Sequence, residues 1–211
     1  KDSMVAYIWL TRSLDCLLFE HYGLLHVHCS CLSNNDLFDR ASIFCGQSGS
    51  GKSTIALKMI EQGNKLIAED NLYIKILNNN VIAYSNTSPI KMRKDFNLKN
   101  IAIKYGTEYD VFFKKNIIIS ENNYFINKEY LLPNRVYILD SKKTIAGSIK
   151  KLNKREGMIY FLREYSNYSK SNSEKLIDFF LTLCSQCNLY YLTPSKDVEK
   201  TIQLIKQGAD I

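Results

Sequence analysis

The sequence predicts one α/β domain, a mixed sheet flanked by helices with a mainly helical C-terminal part, and three observations predict it. A β-forming run at 41–45 enters a glycine-rich loop that opens an amphipathic run at 54–62, the strand–loop–helix order of an α/β unit that cradles phosphate. Short β-rich runs bounded by Asn and Asp surround that unit and read as hairpins. Helical periodicity dominates the last third. At 211 residues and 45% hydrophobic, the chain is long enough for one full core. The expected division is an N-terminal strand and helix over 1–23, a nucleotide-binding core over 24–140, and a mainly helical part over 141–211.

In chain order, residues 4–10 are rich in β-formers and predict a strand. Ser13 is placed to cap a helix running to about Tyr22, with Leu14, Leu17 and Leu18 on one face and Gly23 past its end. Residues 24–32 predict a strand carrying His26 and His28. Ser33-Asn34-Asn35-Asp36 breaks it, and 41–45 returns beside it as a hairpin. The helix over 54–62 stops at Gly63. Residues 65–68 predict the next strand, which delivers Glu69 and Asp70 at its C-terminal end, where open α/β sheets hold ligands. A hairpin follows, with arms at 72–77 and 81–84 and a turn at Asn78-Asn79-Asn80.

Residues 85–100 are polar and include Lys91 and Arg93. They read either as a segment that contacts phosphate or substrate, or as a plain surface loop. Further strands are expected over 109–120, 124–130 and, after Pro133, 135–139. Helices are expected over 144–152, 158–165 and 173–187, the last with Ser173 as N-cap. A short strand at 189–192 precedes a final helix, which starts at Pro194-Ser195, runs to about Gln207 and closes at Gly208.

The stretch Gly46-Gln47-Ser48-Gly49-Ser50-Gly51-Lys52-Ser53-Thr54 fits G-x-x-x-x-G-K-[ST]. Its glycines let backbone N–H groups turn toward phosphate oxygens with no Cβ in the way, and the helix N-terminus adds a positive dipole end. Lys52 is expected to reach the β- and γ-phosphates, and the Ser53 hydroxyl to ligate magnesium. ATP or GTP with Mg²⁺ is therefore expected from the loop alone. Glu69 and Asp70 join Ser53 as candidate metal ligands, and either carboxylate at that strand end is suited to accepting a hydroxyl proton. The alternative for the pair is an acidic turn before a hairpin. No Leu-Ser-Gly-Gly signature of transport ATPases and no Asn-Lys-x-Asp base-reading motif of GTPases occurs.

The formal charge of +7 comes from small dispersed groups of lysine and arginine, which fit either a solvated surface or attraction of a polyanion such as nucleotide or an acidic peptide. No base-reading module is visible, so no nucleic-acid partner is expected. No apolar run approaches the ~20 residues that span a bilayer, and a cytoplasmic protein without a membrane partner is expected. The six cysteines match no common zinc module, and Cys184 and Cys187 continue an apolar helical stripe with Leu176, Phe179, Phe180 and Leu183.

The histidine-bearing hairpin arm, the glycine-rich loop, and Gly63-Asn64-Lys65-Leu66-Ile67-Ala68-Glu69-Asp70 together resemble the HPr kinase/phosphorylase family of serine kinases. The likeness is to small homologues without the separate N-terminal domain, some of which tailor ribosomal natural-product precursors, including lasso peptides. It covers about 24–84 and is faint in the C-terminal third. The resemblance implies the HPr kinase C-terminal-like (PEP carboxykinase-like) version of a P-loop fold. It implies a catalytic set of Asp70 as proton acceptor, Lys52, and His28 as the family histidine. His26 competes for that role, because strand spacing points both side chains the same way. Glu69 replaces the first Asp of the family's usual pair. The family's further metal-binding Glu has no counterpart at Ile90-Lys91-Met92-Arg93. The implied activity is ATP- and Mg²⁺-dependent transfer to a serine of a peptide or small protein, with homo-oligomerisation left open. A small-molecule kinase and a non-catalytic nucleotide-binding regulator remain the other readings of the same loop.

Overall fold

The computed structural model describes residues 2–34, 39–85, 90–93, 105–111, 114–119, 128–165 and 173–208. Twelve strands and five helices lie among them. The chain opens with α1 (Asp2–Tyr22), β1 (Leu25–Val27), β2 (Cys29–Ser33), β3 (Arg40–Gly46) and α2 (Lys52–Glu61). It continues through β4 (Leu66–Glu69), β5 (Leu72–Leu77), β6 (Asn80–Tyr84), β7 (Ile90–Arg93), β8 (Tyr105–Val111) and β9 (Lys114–Ile119). It ends with β10 (Tyr130–Leu139), β11 (Ser148–Leu152), α3 (Lys154–Glu164), α4 (Ser173–Gln186), β12 (Asn188–Thr193) and α5 (Val198–Gly208).

A nine-stranded mixed sheet runs β1-β5-β6-β10-β3-β2-β4, with β12 on β10 and β11 on β12. Its centre is the parallel pair β3 and β10, in register to Leu139↔Gly46, with β12 parallel to β10 as well. Residues of the central strands alternate between two cores, as a sheet covered on both faces requires. Ile43 and Cys45 face a core with Phe19 of α1, Phe161 of α3 and Phe180 of α4. Phe44 faces the other, with Ile55 and Ile60 of α2 and Ile202 and Ile205 of α5. In that second core Phe44, Tyr137 and Tyr190 stack ring on ring, at 4.9 and 5.1 Å between centroids. Cys184 and Cys187 lie in the first core, where burial pushes their thiols up to about 11 and about 12, so both stay protonated and act as small apolar residues.

The structure corrects several expectations. Residues 4–10 continue one helix with the expected helix from Ser13, rather than forming a strand. No Gly or Pro separates the two stretches, so helix propagation, which adds a bond per residue once nucleated, overrides a local β-preference. Residues 144–152 do not form a helix: 148–152 are β11, antiparallel to β12. Gly147 decides this with φ +72, and a Cβ there would sit 3.0 Å from Ser195 N, so the chain must turn out of any helix at that point. Its lysines, Lys150 and Lys151, suit an edge strand by discouraging further pairing.

Strand β10 starts before the expected 135 and runs through Pro133, with a register shift between Pro133 and Arg135 that accommodates the missing N–H. Residues 90–93, expected within a polar loop, form β7 in a three-stranded sheet ordered β7-β9-β8. The expected strand over 124–130 lies outside the described residues up to 127. The last helix begins at Val198, three residues past the expected start, because Asp197 rather than Ser195 supplies the side-chain acceptor, taking the Glu199 N–H at 3.0 Å.

Helix α3 carries a start signal that periodicity alone overlooked. The Asn153 side chain accepts from Glu156 N–H and the Glu156 carboxylate accepts from Asn153 N–H, both at 2.9 Å, a reciprocal capping box. Asn153→Ala should therefore lower stability by about 1 kcal/mol in chemical denaturation. No helix among the described residues is long and apolar enough to cross a membrane.

Candidate active site

The site is built at one end of the central sheet, where β3 and β10 stop side by side. Beyond β3 the chain enters a loop with positive φ at Gly46, Gly49 and Gly51, and re-enters regular structure as α2 at Lys52. Gly46 is required by packing: a Cβ there would lie 2.8 Å from Ser50 Oγ and 2.9 Å from the Leu139 carbonyl oxygen of the neighbouring strand. The loop therefore sits against the end of β10 more closely than any side chain allows. Gln47, Ser48 and Gly49 are exposed, Ser50 is buried, and Thr54 lies half-buried in the first turn of α2.

Lys52 folds back over this loop. Its Nζ donates to Gly46 O at 2.8 Å and Gln47 O at 3.3 Å, and the residue is only 6% exposed. Burial lowers the lysine's pKa, and the nearby Glu69 and Asp70 carboxylates work against that, Glu69 the more strongly. One residue on, the Ser53 hydroxyl donates to Glu69 Oε1. Glu69 ends β4 and is 2% exposed. Burial pushes its carboxyl above the usual range, while the Ser30 and Ser53 hydroxyls and Lys52 pull it down.

Ser50 Oγ is buried with no hydrogen-bond partner, and the second Glu69 oxygen and Ser30 Oγ are buried with no well-formed bond beyond the approach of the Ser30 hydroxyl to the Glu69 carboxylate. Incompletely satisfied polar atoms buried beside one loop call for a partner. They fit a site completed by a ligand. The donors present, a hydroxyl and a carboxylate, are the hard oxygen set that magnesium takes alongside phosphate oxygens and water. The described residues contain no cluster of three or more His, Cys, Asp or Glu of the kind that would cage a metal unaided.

Asp70 adopts φ +68, and Asn71 N–H donates to Glu69 O at 2.8 Å across it, so Asp70 is the apex of a three-residue γ-turn. A non-glycine residue held at positive φ in such a turn stores strain of the kind that collects at functional sites. His28 Nε2 lies 3.3 Å from Asp70 Oδ1. The expected strand over 24–32 breaks at His28: β1 before it pairs with β5, and β2 after it pairs with β3 and β4. That break separates the two histidines in a way spacing alone left open. His28 meets Asp70, whereas His26 meets Asp15 and Asn71.

Lys91 and Arg93 stand on β7, in register with Asn116 and Lys114, and their side-chain contacts lie outside the described residues. Sequence reasoning missed Lys143. It lies in the connection after β10, tied down by Asp140 N–H to Leu192 O at 2.9 Å and Thr144 N–H to Pro194 O at 3.0 Å. The end of its side chain comes to 3.7 Å from where a Gly51 Cβ would stand. A second lysine thus reaches the mouth of the loop. The only signal for it is the parallel pairing of β3 and β10, which local sequence does not display.

Fold and site together define a mixed α/β protein with a curled sheet, five helices among the described residues, and a glycine-rich strand–helix loop faced by a carboxylate–histidine pair. No family model and no curated protein matches the chain. Among solved structures it is similar, distantly, to the Hpr(Ser) kinase/phosphatase from Coxiella burnetii, at 13% identity over 87% of this chain and 95% of that one, with a TM-score of 0.46.

Proposed function

We propose that the protein is a kinase that transfers the γ-phosphoryl group of ATP to a serine hydroxyl of a peptide or small protein, a ribosomal natural-product precursor being one such acceptor. The observation that carries this reading is convergence: Lys52, the Ser53–Glu69 pair and the Asp70–His28 pair meet at one glycine-rich loop. The loop from Gly46 to Thr54 cradles the phosphates through its N–H groups and the α2 N-terminus. Lys52 exchanges its contacts with Gly46 O and Gln47 O for phosphate oxygens, and Lys143 adds positive charge at the mouth. Ser53 and Glu69 would hold magnesium, with Asp70 beside them, and the ion would supply charge neutralisation for the transferring phosphoryl group.

Asp70 then accepts the proton of the attacking hydroxyl, and His28 orients Asp70. The rate gain comes from positioning and electrostatics, with no covalent enzyme intermediate. Incubation with ATP, Mg²⁺ and serine-containing peptides, read by intact mass, tests the proposal. One phosphate gained on a peptide serine supports it. A phosphorylated metabolite in place of a peptide would assign a small-molecule kinase. Nucleotide-dependent thermal stabilisation without any product would assign a regulator and overturn the transfer reading.

A further inference from the structure

We infer that His26 is a positioning residue, the middle of a clamp that runs from α1 through Asn71 to the strained turn presenting Asp70. The inference rests on the kinase reading for its catalytic consequence, but the clamp itself stands on geometry. His26 Nδ1 lies 2.8 Å from Asp15 Oδ2 on α1, and His26 Nε2 lies 3.0 Å from Asn71 Oδ1. A carboxylate and an amide oxygen both only accept, so the two contacts are the hydrogen bonds of a ring that carries N–H at both Nδ1 and Nε2, held by Asp15 with Nε2 aimed at Asn71. The ring is held from two further sides. The Tyr73 ring lies 5.4 Å away, centroid to centroid, while its hydroxyl donates to Asp15 Oδ1 at 3.4 Å, and the Tyr165 hydroxyl donates to the His26 carbonyl at 2.9 Å. Elements β1, β5, α1 and the end of α3 thus converge on one histidine, the last through its main-chain carbonyl.

What this clamp holds is unusual. Asn71 is the third residue of the γ-turn whose apex is Asp70 at φ +68. A classic γ-turn is rare and strained, and persists only where its surroundings over-determine it. The two histidines divide that task. His28 meets the Asp70 carboxylate and His26 meets the next side chain. Without His26 the turn loses the side-chain anchor on Asn71, and Asp70 samples relaxed backbone angles that carry its carboxylate away from the loop.

Two variants test this from opposite sides: His26→Gln, and Asn71→Leu, which removes the acceptor while leaving the imidazole and α1 in place. The first readout, independent of activity, is hydrogen exchange of the Asn71 amide. Exchange at least ten times faster than in the wild type, with β4 and β5 core amides unchanged, is expected in both. Unchanged Asn71 exchange overturns the clamp. The second readout is transfer kinetics: kcat should fall at least tenfold with KM for ATP within about twofold, and Asn71→Asp, which restores an acceptor for Nε2, should recover most of kcat. Faster exchange with wild-type kcat would overturn the positioning role. Faster exchange in a protein whose wild type transfers no phosphate would leave the clamp standing and sink the kinase reading instead.

Discussion

Lys52→Met should lower phosphoryl transfer by roughly 10²–10³-fold, the loss typical of removing one preorganised charge-stabilising donor, while the protein stays folded. Two effects oppose each other in the stability term. Removing the ammonium takes away a buried charge whose desolvation is unfavourable, and methionine keeps most of the apolar stem. Against that, Gly46 O and Gln47 O lose a donor, but Gln47 is exposed and Gly46 half-exposed, so water replaces the contact. The net change in stability should stay within about 1 kcal/mol. Glu69 would also lose the attraction of the Lys52 ammonium, which raises its carboxyl further from a position already raised by burial. The measurement is intact-mass transfer kinetics beside a chemical denaturation curve. Near-wild-type turnover with the fold intact would remove the glycine-rich loop from the chemistry altogether.

Asp70→Asn should abolish transfer by ~10²–10⁴-fold, the range associated with losing a general base, and should leave nucleotide affinity unchanged or tighter. The choice of asparagine matters. Asp70 sits at φ +68, a region that Asn tolerates as well as Asp and most other residues do not. Asp70→Ala would mix lost chemistry with a relaxed turn, whereas Asp70→Asn keeps the turn and removes only basicity. One negative charge fewer lessens the repulsion of a triphosphate, so binding holds unless Asp70 itself holds the magnesium ion. Titration calorimetry with a non-hydrolysable ATP analogue, set beside the transfer rate, separates the two terms. A variant that transfers normally would assign the base elsewhere, with Glu69 the nearest carboxylate. A variant that loses nucleotide binding would show Asp70 to act on the nucleotide, not on the acceptor hydroxyl.

Much of this site is legible in the sequence because it is local. The loop, its entering strand and its exiting helix are consecutive, and Glu69 and Asp70 follow within the next strand, so spacing alone places them at the correct end. The 72–84 hairpin is readable for the same reason, its Asn78 and Asn79 both adopting the positive φ that such a turn demands. What escaped is set by pairing between distant segments. The division of labour between His26 and His28 follows from a strand that changes partners at His28, and no residue nearby announces it. Residues 148–152 read as helix because their lysines and leucine fit either period; the partner strand β12 decides. Lys143 is invisible for a further reason, since its distance from Gly51 is a property of the β3–β10 pair and not of either stretch.

That pair has a consequence for how the site comes into being. The ribosome makes the glycine-rich loop well before β10, but β3 becomes a central strand only when β10 arrives from far downstream, with β12 on the far side of β10. Long-range parallel pairing is slow because the entropy of closing the intervening chain is lost before the contacts form. The packing of Gly46 against Leu139 O, and the approach of Lys143 to Gly51, thus depend on β10 having paired with β3. A nascent chain that carries the whole motif does not yet carry the site, whose packed form needs β10 to be made and paired with β3.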